Sequence, residues 1–148
     1  MNQAAQNKLI NIARNLIGTK HSVLDCSNFV NQVYTQANMS YGYKAAWQIK
    51  PANPPENFVW KGKNLPAKNL EAGDLIVFDR HMGIWDPNGC KTIGTDAVCK
   101  KLKDNAPFLS SRGDSTKNAQ GALVNDRGVA YGQTKWWGDY DVYRWAGK

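Results

Sequence analysis

Apolar residues recur at three- and four-residue intervals in the N-terminal part of the chain and predict two amphipathic helices. The first apolar stripe falls within residues 3–17 and consists of Leu9, Ile12, Ala13, Leu16 and Ile17. Gly18 suits the position that follows a helix end. We expect the second helix to begin after Asp25, whose carboxylate can cap the first turn, and to end near Ala37.

The pattern changes from helical to strand-like in the second half of the chain. A continuous apolar run in residues 74–79 predicts a central strand that is covered on both faces. Residues 81–85 predict the next strand, and the turn residues at 86–89 predict that residues 90–96 return antiparallel beside it. Residues 140–145 alternate and predict a closing strand, whereas residues 100–135 give signals too weak to order.

Residues 38–70 are irregular between these two regions. Four prolines break the periodicity, and five aromatic residues interrupt it: Tyr41, Tyr43, Trp47, Phe58 and Trp60. A long irregular segment in a compact domain often has a function, so this one could wall a substrate groove. The aromatic residues could equally anchor a loop to the core, and both interpretations stay open.

The order of elements, helices first and an antiparallel sheet afterwards, predicts an α+β fold. The length of 148 residues suits one domain, 1–148, and the sequence contains no internal repeat or linker. No apolar run approaches the roughly 20 residues that span a bilayer, so we expect no membrane span. The N-terminal residues lack the pattern of a secretory signal peptide, so we expect synthesis in the cytoplasm.

The chain is basic, with a formal net charge of +7 and a sequence pI near 9.4. This charge favours encounter with polyanions such as nucleic acid or an anionic cell envelope, or it serves solubility alone. Six tryptophans and six tyrosines could form stacking platforms for single-stranded nucleic acid. The aromatic residues are not interleaved with basic ones in a recognisable module, so nucleic acid is the less favoured partner.

The three cysteines do not form a disulfide framework. Cys90 and Cys99 could pair in an oxidising compartment, or both could be small buried apolar residues. No spacing of cysteine, histidine and aspartate resembles a zinc site, and no glycine loop suits a phosphate. We therefore predict neither a metal nor a cofactor.

Cys26 and His81 are the residues that point most clearly to chemistry. Cys26 lies where the second helix begins, so unpaired backbone amides there would stabilise its thiolate and could bind an oxyanion. His81 begins a strand, a rigid place from which to act as general base and acid. The charge of Asp25 opposes the thiolate. Structural roles for both residues stay open, and His21 is the competing base.

Two segments resemble the signature motifs of the NlpC/P60 cysteine peptidases. Residues 25–30, Asp-Cys-Ser-Asn-Phe-Val, are similar to the family's Asp-Cys-Ser-Gly-Phe-Val, with Asn28 in place of glycine. Residues 73–78 and 81–85, Gly-Asp-Leu-Ile-Val-Phe and His-Met-Gly-Ile-Trp, are similar to its Gly-Asp-Leu-Val-Phe-Phe and His-Val-Gly-Ile-Tyr segments. The resemblance implies a papain-like core with the N-terminal helices packed on a mostly antiparallel sheet.

The resemblance also implies roles for individual residues. Cys26 would be the nucleophile and His81 the general base and acid, acting on a peptidoglycan stem peptide between D-glutamate and diaminopimelate. We expect the substrate to contact Asp25, Ser27 and Trp47, together with His21, which follows Gly-Thr-Lys where the family has an upstream tyrosine.

The third catalytic residue departs from the family, which orients its histidine with His, Asn or Gln on the following strand. If residues 90–96 form that strand, His81 lies opposite Gly94, and Asp96 is a diagonal neighbour that could hold the imidazole. We therefore predict Asp96 as the orienting residue. A dyad completed by a backbone carbonyl stays open.

The small size and the C-terminal segment resemble type VI secretion amidase effectors. That resemblance implies delivery by secretion machinery into the periplasm of a target bacterium, and an immunity protein that occludes the cleft. A phage-type endolysin with the same chemistry is the alternative. An acyltransferase or a different amidase on the same fold would share the thioester step.

Overall fold

The computed structural model describes residues 1–88, 107–112, 116–117, 123–124 and 128–147. These residues form two α-helices, α1 (Gln3–Asn15) and α2 (Cys26–Gln36), and eight β-strands. The strands are β1 (Phe58–Lys63), β2 (Leu75–Val77), β3 (Met82–Trp85), β4 (Phe108–Arg112), β5 (Thr116–Lys117), β6 (Leu123–Val124), β7 (Gly128–Gly132) and β8 (Asp141–Trp145). Short 3₁₀ turns cover Ala46–Gln48, Ala67–Asn69 and Thr134–Trp136.

Six of the strands form one antiparallel sheet in the order β1-β8-β2-β3-β4-β7, and β5 pairs with β6 separately. Helix α2 packs against β3 and β4 and also contacts α1. The apolar faces of both helices are buried against the sheet, as shown by Leu9, Phe29 and Val33, which have no exposed surface. The predicted α+β class is confirmed, and α2 lies directly on the strands at the middle of the sheet.

The caps of the two helices follow from their flanking side chains. The side chain of Asn2 accepts a hydrogen bond from the amide of Ala5, and the Asp25 carboxylate accepts one from the amide of Asn28 at 2.8 Å. Both helices therefore begin where the sequence predicts. Gly18 has a φ of 95°, which suits glycine, and lies two residues beyond the C-cap Leu16.

Strand β2 is the doubly covered central strand that the apolar run predicts. All of its residues are buried, and it lies between β3 and β8. The buried carboxylate of Asp74, just before it, accepts two hydrogen bonds from Arg144 of β8, each at 2.8 Å. The Tyr34 hydroxyl of α2 donates to the Gly73 carbonyl at 2.5 Å. The Gly-Asp pair thus joins helix, central strand and C-terminal strand.

The sequence analysis did not predict β4 as a neighbour of β3. The two neighbours of β3 are β2 and β4, with Ile84 opposite Leu75 on one side and Leu109 on the other. The predicted antiparallel return of residues 90–96 beside this strand stays a prediction. Residues 90–96 themselves, including Asp96, lie outside the described residues.

The sequence analysis did not predict β4 or β1, because neither strand has the apolar pattern that is typical of a strand. Strand β4 ends in Ser110, Ser111 and Arg112, all fully buried, so a polar sequence forms an interior strand. Strand β1 lies within the proline-rich segment that was predicted to be irregular, and it pairs with β8 at the edge of the sheet.

Candidate active site

Cys26 is the first residue of α2 and is partly buried. Its Sγ lies 3.9 Å from the Oγ of Ser27. Burial raises the pKa of the Cys26 thiol, and the neighbouring charge of Asp25 adds to that rise. Contacts with the Ser27 hydroxyl and with the backbone of Met82 and Ser27 lower it, but by less. The net effect is a raised pKa of the Cys26 thiol, so the resting group is the thiol.

His81 lies in a box of aromatic rings. The indole of Trp137 stacks on the imidazole, with ring centroids 4.3 Å apart and planes inclined by 19°. Phe78 and Phe108 contact it at centroid distances of 6.2 and 5.7 Å. Only 9% of the residue is exposed. In this apolar surrounding, the imidazole Nε2 shares a hydrogen bond of 2.9 Å with the Oγ of Ser110.

The surroundings of His81 keep its imidazole neutral. Burial is the main cause that lowers the pKa of His81 to about 3, and the nearby Arg112 and His21 add to it. Arg112 is fully buried on β4, and its guanidinium lies over the ring of Trp136 at 5.1 Å from the centroid. The site therefore pairs a neutral thiol with a neutral imidazole.

The fold brings these two groups to the same place although they are 55 residues apart in sequence. Helix α2, which begins with Cys26, packs on β3, which begins directly after His81. The backbone of Met82, the residue after His81, interacts with the Cys26 sulfur. Two residues after His81, a Cβ at Gly83 would lie 2.5 Å from the Leu109 carbonyl, so glycine allows β4 to approach this closely.

A cavity of about 460 Å³ opens beside the sulfur. The residues that line it differ in chemistry: the thiol of Cys26, the hydroxyl of Ser27, the methyl groups of Ala45 and Ala46, the indole of Trp47 and the guanidinium of Arg80. The Trp47 side chain is exposed, with 64% of the residue accessible. We call this space the nucleophile cavity. Its size and position suit a peptide-like ligand.

The segment that walls the nucleophile cavity is anchored to the nucleophile helix. The ring of Tyr41 is buried beside Tyr34 and Phe58, and its hydroxyl is shared between the carbonyls of Ser27 and Lys44 at 3.2 Å each. A few residues further on, Ala45, Ala46 and Trp47 form the cavity wall. Tyr41 therefore anchors this segment to the core, whereas Trp47 walls the cavity, so each interpretation of the aromatic residues applies to a different residue.

The structure places most of the predicted site residues near one another. Ser27 and Trp47 line the nucleophile cavity, and Asp25 is close enough to Cys26 to affect its pKa. His21 is close enough to His81 to influence its charge, and it has interactions of its own. Asp96, the predicted orienting residue, lies outside the described residues, so its role stays a prediction.

Sequence reasoning missed four residues at this site: Arg80, Ser110, Arg112 and Trp137. Arg80 could have been noticed because it directly precedes His81. The Phe-Leu-Ser-Ser-Arg run of β4 carried only a short apolar signal, and the Trp-Trp pair at 136–137 carried no periodicity. The proximity of Ser110, Arg112 and Trp137 to His81 depends on strand pairing that the sequence pattern did not reveal.

Within the described ranges, no group of three or more His, Cys, Asp or Glu residues could hold a metal ion. Neither described helix has the length and apolar character needed to cross a bilayer. Cys90 and Cys99 lie outside the described residues.

Comparison with known proteins agrees with the geometry of the site. The sequence model of the NlpC/P60 family matches residues 15–122, which is more than half of the chain and includes both Cys26 and His81. No curated protein sequence matches the chain. No solved structure matches it either.

Proposed function

Because the chain belongs to the NlpC/P60 family, which generally comprises cysteine peptidases and amidases of peptidoglycan, we propose that Cys26 and His81 hydrolyse an amide bond of a stem peptide. The observation that carries this proposal is the position of the Cys26 sulfur, which faces a cavity on one side and the backbone beside His81 on another. A nucleophile, a base and room for a peptide are thus combined at one place.

The first step transfers a proton and forms a bond. His81 takes the thiol proton of Cys26, and the sulfur attacks the carbonyl carbon of the scissile amide. Since Nε2 is engaged with Ser110, the free Nδ1 is the nitrogen that serves as base. The backbone amide of Cys26, in the first turn of α2, is placed to stabilise the oxyanion that develops.

The second step breaks the amide bond. The imidazolium of His81 donates its proton to the leaving amine nitrogen, the C–N bond breaks, and a thioester on Cys26 remains. Water then attacks the thioester carbon while His81 accepts a proton, and the thiol is regenerated with release of the acid. Because both resting groups are neutral, the charged pair forms only while substrate is being attacked.

Ser110 is the positioning residue that this geometry favours for His81. A hydroxyl that accepts a hydrogen bond from Nε2–H fixes the tautomer with Nδ1 unprotonated. The arrangement of a nucleophile helix on a sheet that bears the base supports a papain-like core. The serine would take the place for which sequence reasoning proposed Asp96.

For the substrate we propose the bond between D-glutamate and diaminopimelate, which the family resemblance implies. We also propose that the protein is an antibacterial effector acting in the periplasm of a target cell, with an immunity protein covering the nucleophile cavity. The basic charge of the chain, +7, supports encounter with the anionic cell envelope. Cell lysis on expression with an added export signal, and none without it, would agree with this role.

Digestion of purified Gram-negative sacculi tests the proposed chemistry. We expect wild-type protein to release peptide fragments, with masses that identify the cleaved bond. Cys26→Ala and His81→Ala should each lower the release by about 10⁴-fold or more, because each removes a reacting group. His21→Ala is the matched control and should retain most of the activity.

Circular dichroism and thermal unfolding of every variant would show that the fold persists. Intact sacculi after treatment with wild-type protein would contradict the hydrolase proposal. Loss of activity in His21→Ala with activity retained in His81→Ala would show that the base is His21 instead.

A further inference from the structure

Arg80 places a positive charge in the nucleophile cavity. It lies in the short connection between β2 and β3, directly before His81, and its side chain is exposed. Among the described residues that line this cavity, Arg80 alone is charged. A ligand group that enters the cavity beside Cys26 therefore meets one cationic contact.

The other arginines of the described chain have a different use. Arg14 is neutralised by Asp86, and Arg144 by Asp74, in each case by two hydrogen bonds of 2.8 Å. Arg112 is fully buried against Trp136. Arg80 forms no ion pair with any carboxylate in the part of the chain that the structure describes. Its guanidinium is therefore available to a ligand.

We propose that Arg80 is a specificity residue that binds a free carboxylate next to the scissile amide. A guanidinium presents parallel N–H donors that match a carboxylate in a bidentate pair, and it is always charged at neutral pH. An exposed Trp47 on the same cavity supplies an apolar surface for the substrate's aliphatic part. The site would thus prefer an acidic residue at the cleaved bond.

This inference rests on the proposed function. The chemistry of the stem peptide shows which carboxylates Arg80 would bind. When one carboxyl group of glutamate forms the scissile amide, its other carboxyl group is free unless it is amidated. Diaminopimelate on the other side of the bond also carries a free carboxylate. Both groups have the chemistry that Arg80 would bind, and they differ in which side of the scissile bond they occupy.

Synthetic stem tripeptides separate the two groups. In the first peptide every carboxylate is free, and in the second the glutamate carboxylate is converted to the carboxamide. In the third, the converted group is the diaminopimelate carboxylate on the carbon that bears the scissile nitrogen. The values of kcat/KM are measured for wild-type protein and for Arg80→Gln. Lys61→Gln is the control. Lys61 lies on the edge strand β1 and does not line the cavity, so this variant removes one positive charge elsewhere on the protein.

We expect wild-type protein to prefer the free acid over one amidated peptide by about 10- to 100-fold, as a charged hydrogen-bonded pair would give. Arg80→Gln should reduce that ratio to near one by slowing the free-acid peptide alone. Lys61→Gln should keep the wild-type ratio. A ratio that Arg80→Gln leaves unchanged for both carboxylates would overturn the proposal.

Calorimetric binding to Cys26→Ala separates this proposal from the proposed function. Preferential binding of the free-acid peptide, lost in Cys26→Ala/Arg80→Gln, would support Arg80 as the carboxylate site even if wild-type protein cleaved nothing. Equal binding of the free and amidated peptides to Cys26→Ala would overturn it even if sacculi were digested.

Discussion

The two halves of the candidate site are built in different ways. The nucleophile half, which consists of the start of α2 and the Gly-Asp segment before β2, is held by helix capping, apolar packing and the ion pair of Asp74 with Arg144. The supporting half, which consists of β4 and residues 134–137, is held by buried hydroxyls, an indole pair and the buried guanidinium of Arg112. The first half positions the Cys26 sulfur, and the second half supplies the hydrogen bond and the stacked indole that contact the His81 imidazole.

This difference shows that the position of the thiol is determined at the start of α2, whereas the surroundings of the base also include groups from distant parts of the chain. The Cys26 sulfur is fixed by where α2 begins. The pKa of His81 depends chiefly on burial among aromatic rings, and then on Arg112 of β4 and on His21. Substitutions in the supporting half should therefore alter the pH dependence and the rate, with the nucleophile still in place.

The largest effect is expected from the two adjacent serines of β4. Ser110 bonds the imidazole of His81, whereas the hydroxyl of Ser111 donates to the Leu24 carbonyl in the loop before α2. Ser110→Ala should lower kcat by about 10- to 100-fold because the imidazole loses its orienting bond. Ser111→Ala should instead lower the free energy of unfolding by about 1–3 kcal/mol.

Steady-state kinetics and urea unfolding of both variants make this comparison. If Ser110→Ala changes only stability and leaves kcat at the wild-type value, the orienting group for His81 lies elsewhere. Asp96 would then be the next residue to substitute.

A further effect, smaller per pH unit, is expected in the stability of the protein against acid. The pKa of His81 is about 3 in the folded state and about 6.5 when unfolded, so between these values the unfolded chain binds a proton that the folded chain does not. As pH falls from 6.5 towards 3, this residue should reduce the free energy of unfolding by about 1.4 kcal/mol per pH unit. Above pH 6.5 its contribution is complete and constant.

Urea unfolding at pH 7, 6, 5 and 4 measures this slope, and His81→Gln provides the reference. The difference between wild type and His81→Gln should shrink as pH falls. Parallel curves for the two proteins would show that the imidazole is protonated as readily in the folded state as in the unfolded state.

The smallest effect is expected at the stacked indole. Trp137→Leu would leave the hydrogen bond to Ser110 but admit water to the imidazole of His81, so the pKa of His81 should rise towards its ordinary value. The acid limb of kcat/KM should move to higher pH by about one unit. Trp60→Leu, on the edge strand β1, is the control and should leave the limb unchanged. An unchanged limb in Trp137→Leu would show that burial by Phe78 and Phe108 is sufficient.

The sequence predicted the nucleophile half well because its signals are local. The cap at Asp25, the apolar stripe of α2 and the apolar run of β2 each appear in neighbouring residues, and each element lies where it was expected. The next strand, predicted over residues 81–85, was also found, as β3. Local patterns suffice where an element buries apolar side chains at its own period.

The supporting half could not be predicted in the same way. Strand β4 is polar yet buried, since Ser110 and Ser111 satisfy their hydroxyls on partners far away in sequence, His81 and Leu24. Its neighbour relation to β3 depends on a long connection rather than on a short turn. The prediction that residues 90–96 form the neighbouring strand assumed the shortest return, and it concerns residues outside the described part of the chain.

The segment that carries the wall of the nucleophile cavity is attached to α2 through the side chain of Tyr41. Tyr41 is immobilised among core aromatic rings and reaches the carbonyl of Ser27, next to the sulfur. The exposed Trp47 side chain of the wall can therefore be exchanged without disturbing that attachment. Selectivity in this architecture could diversify by remodelling one short stretch of chain, with the reaction centre left untouched.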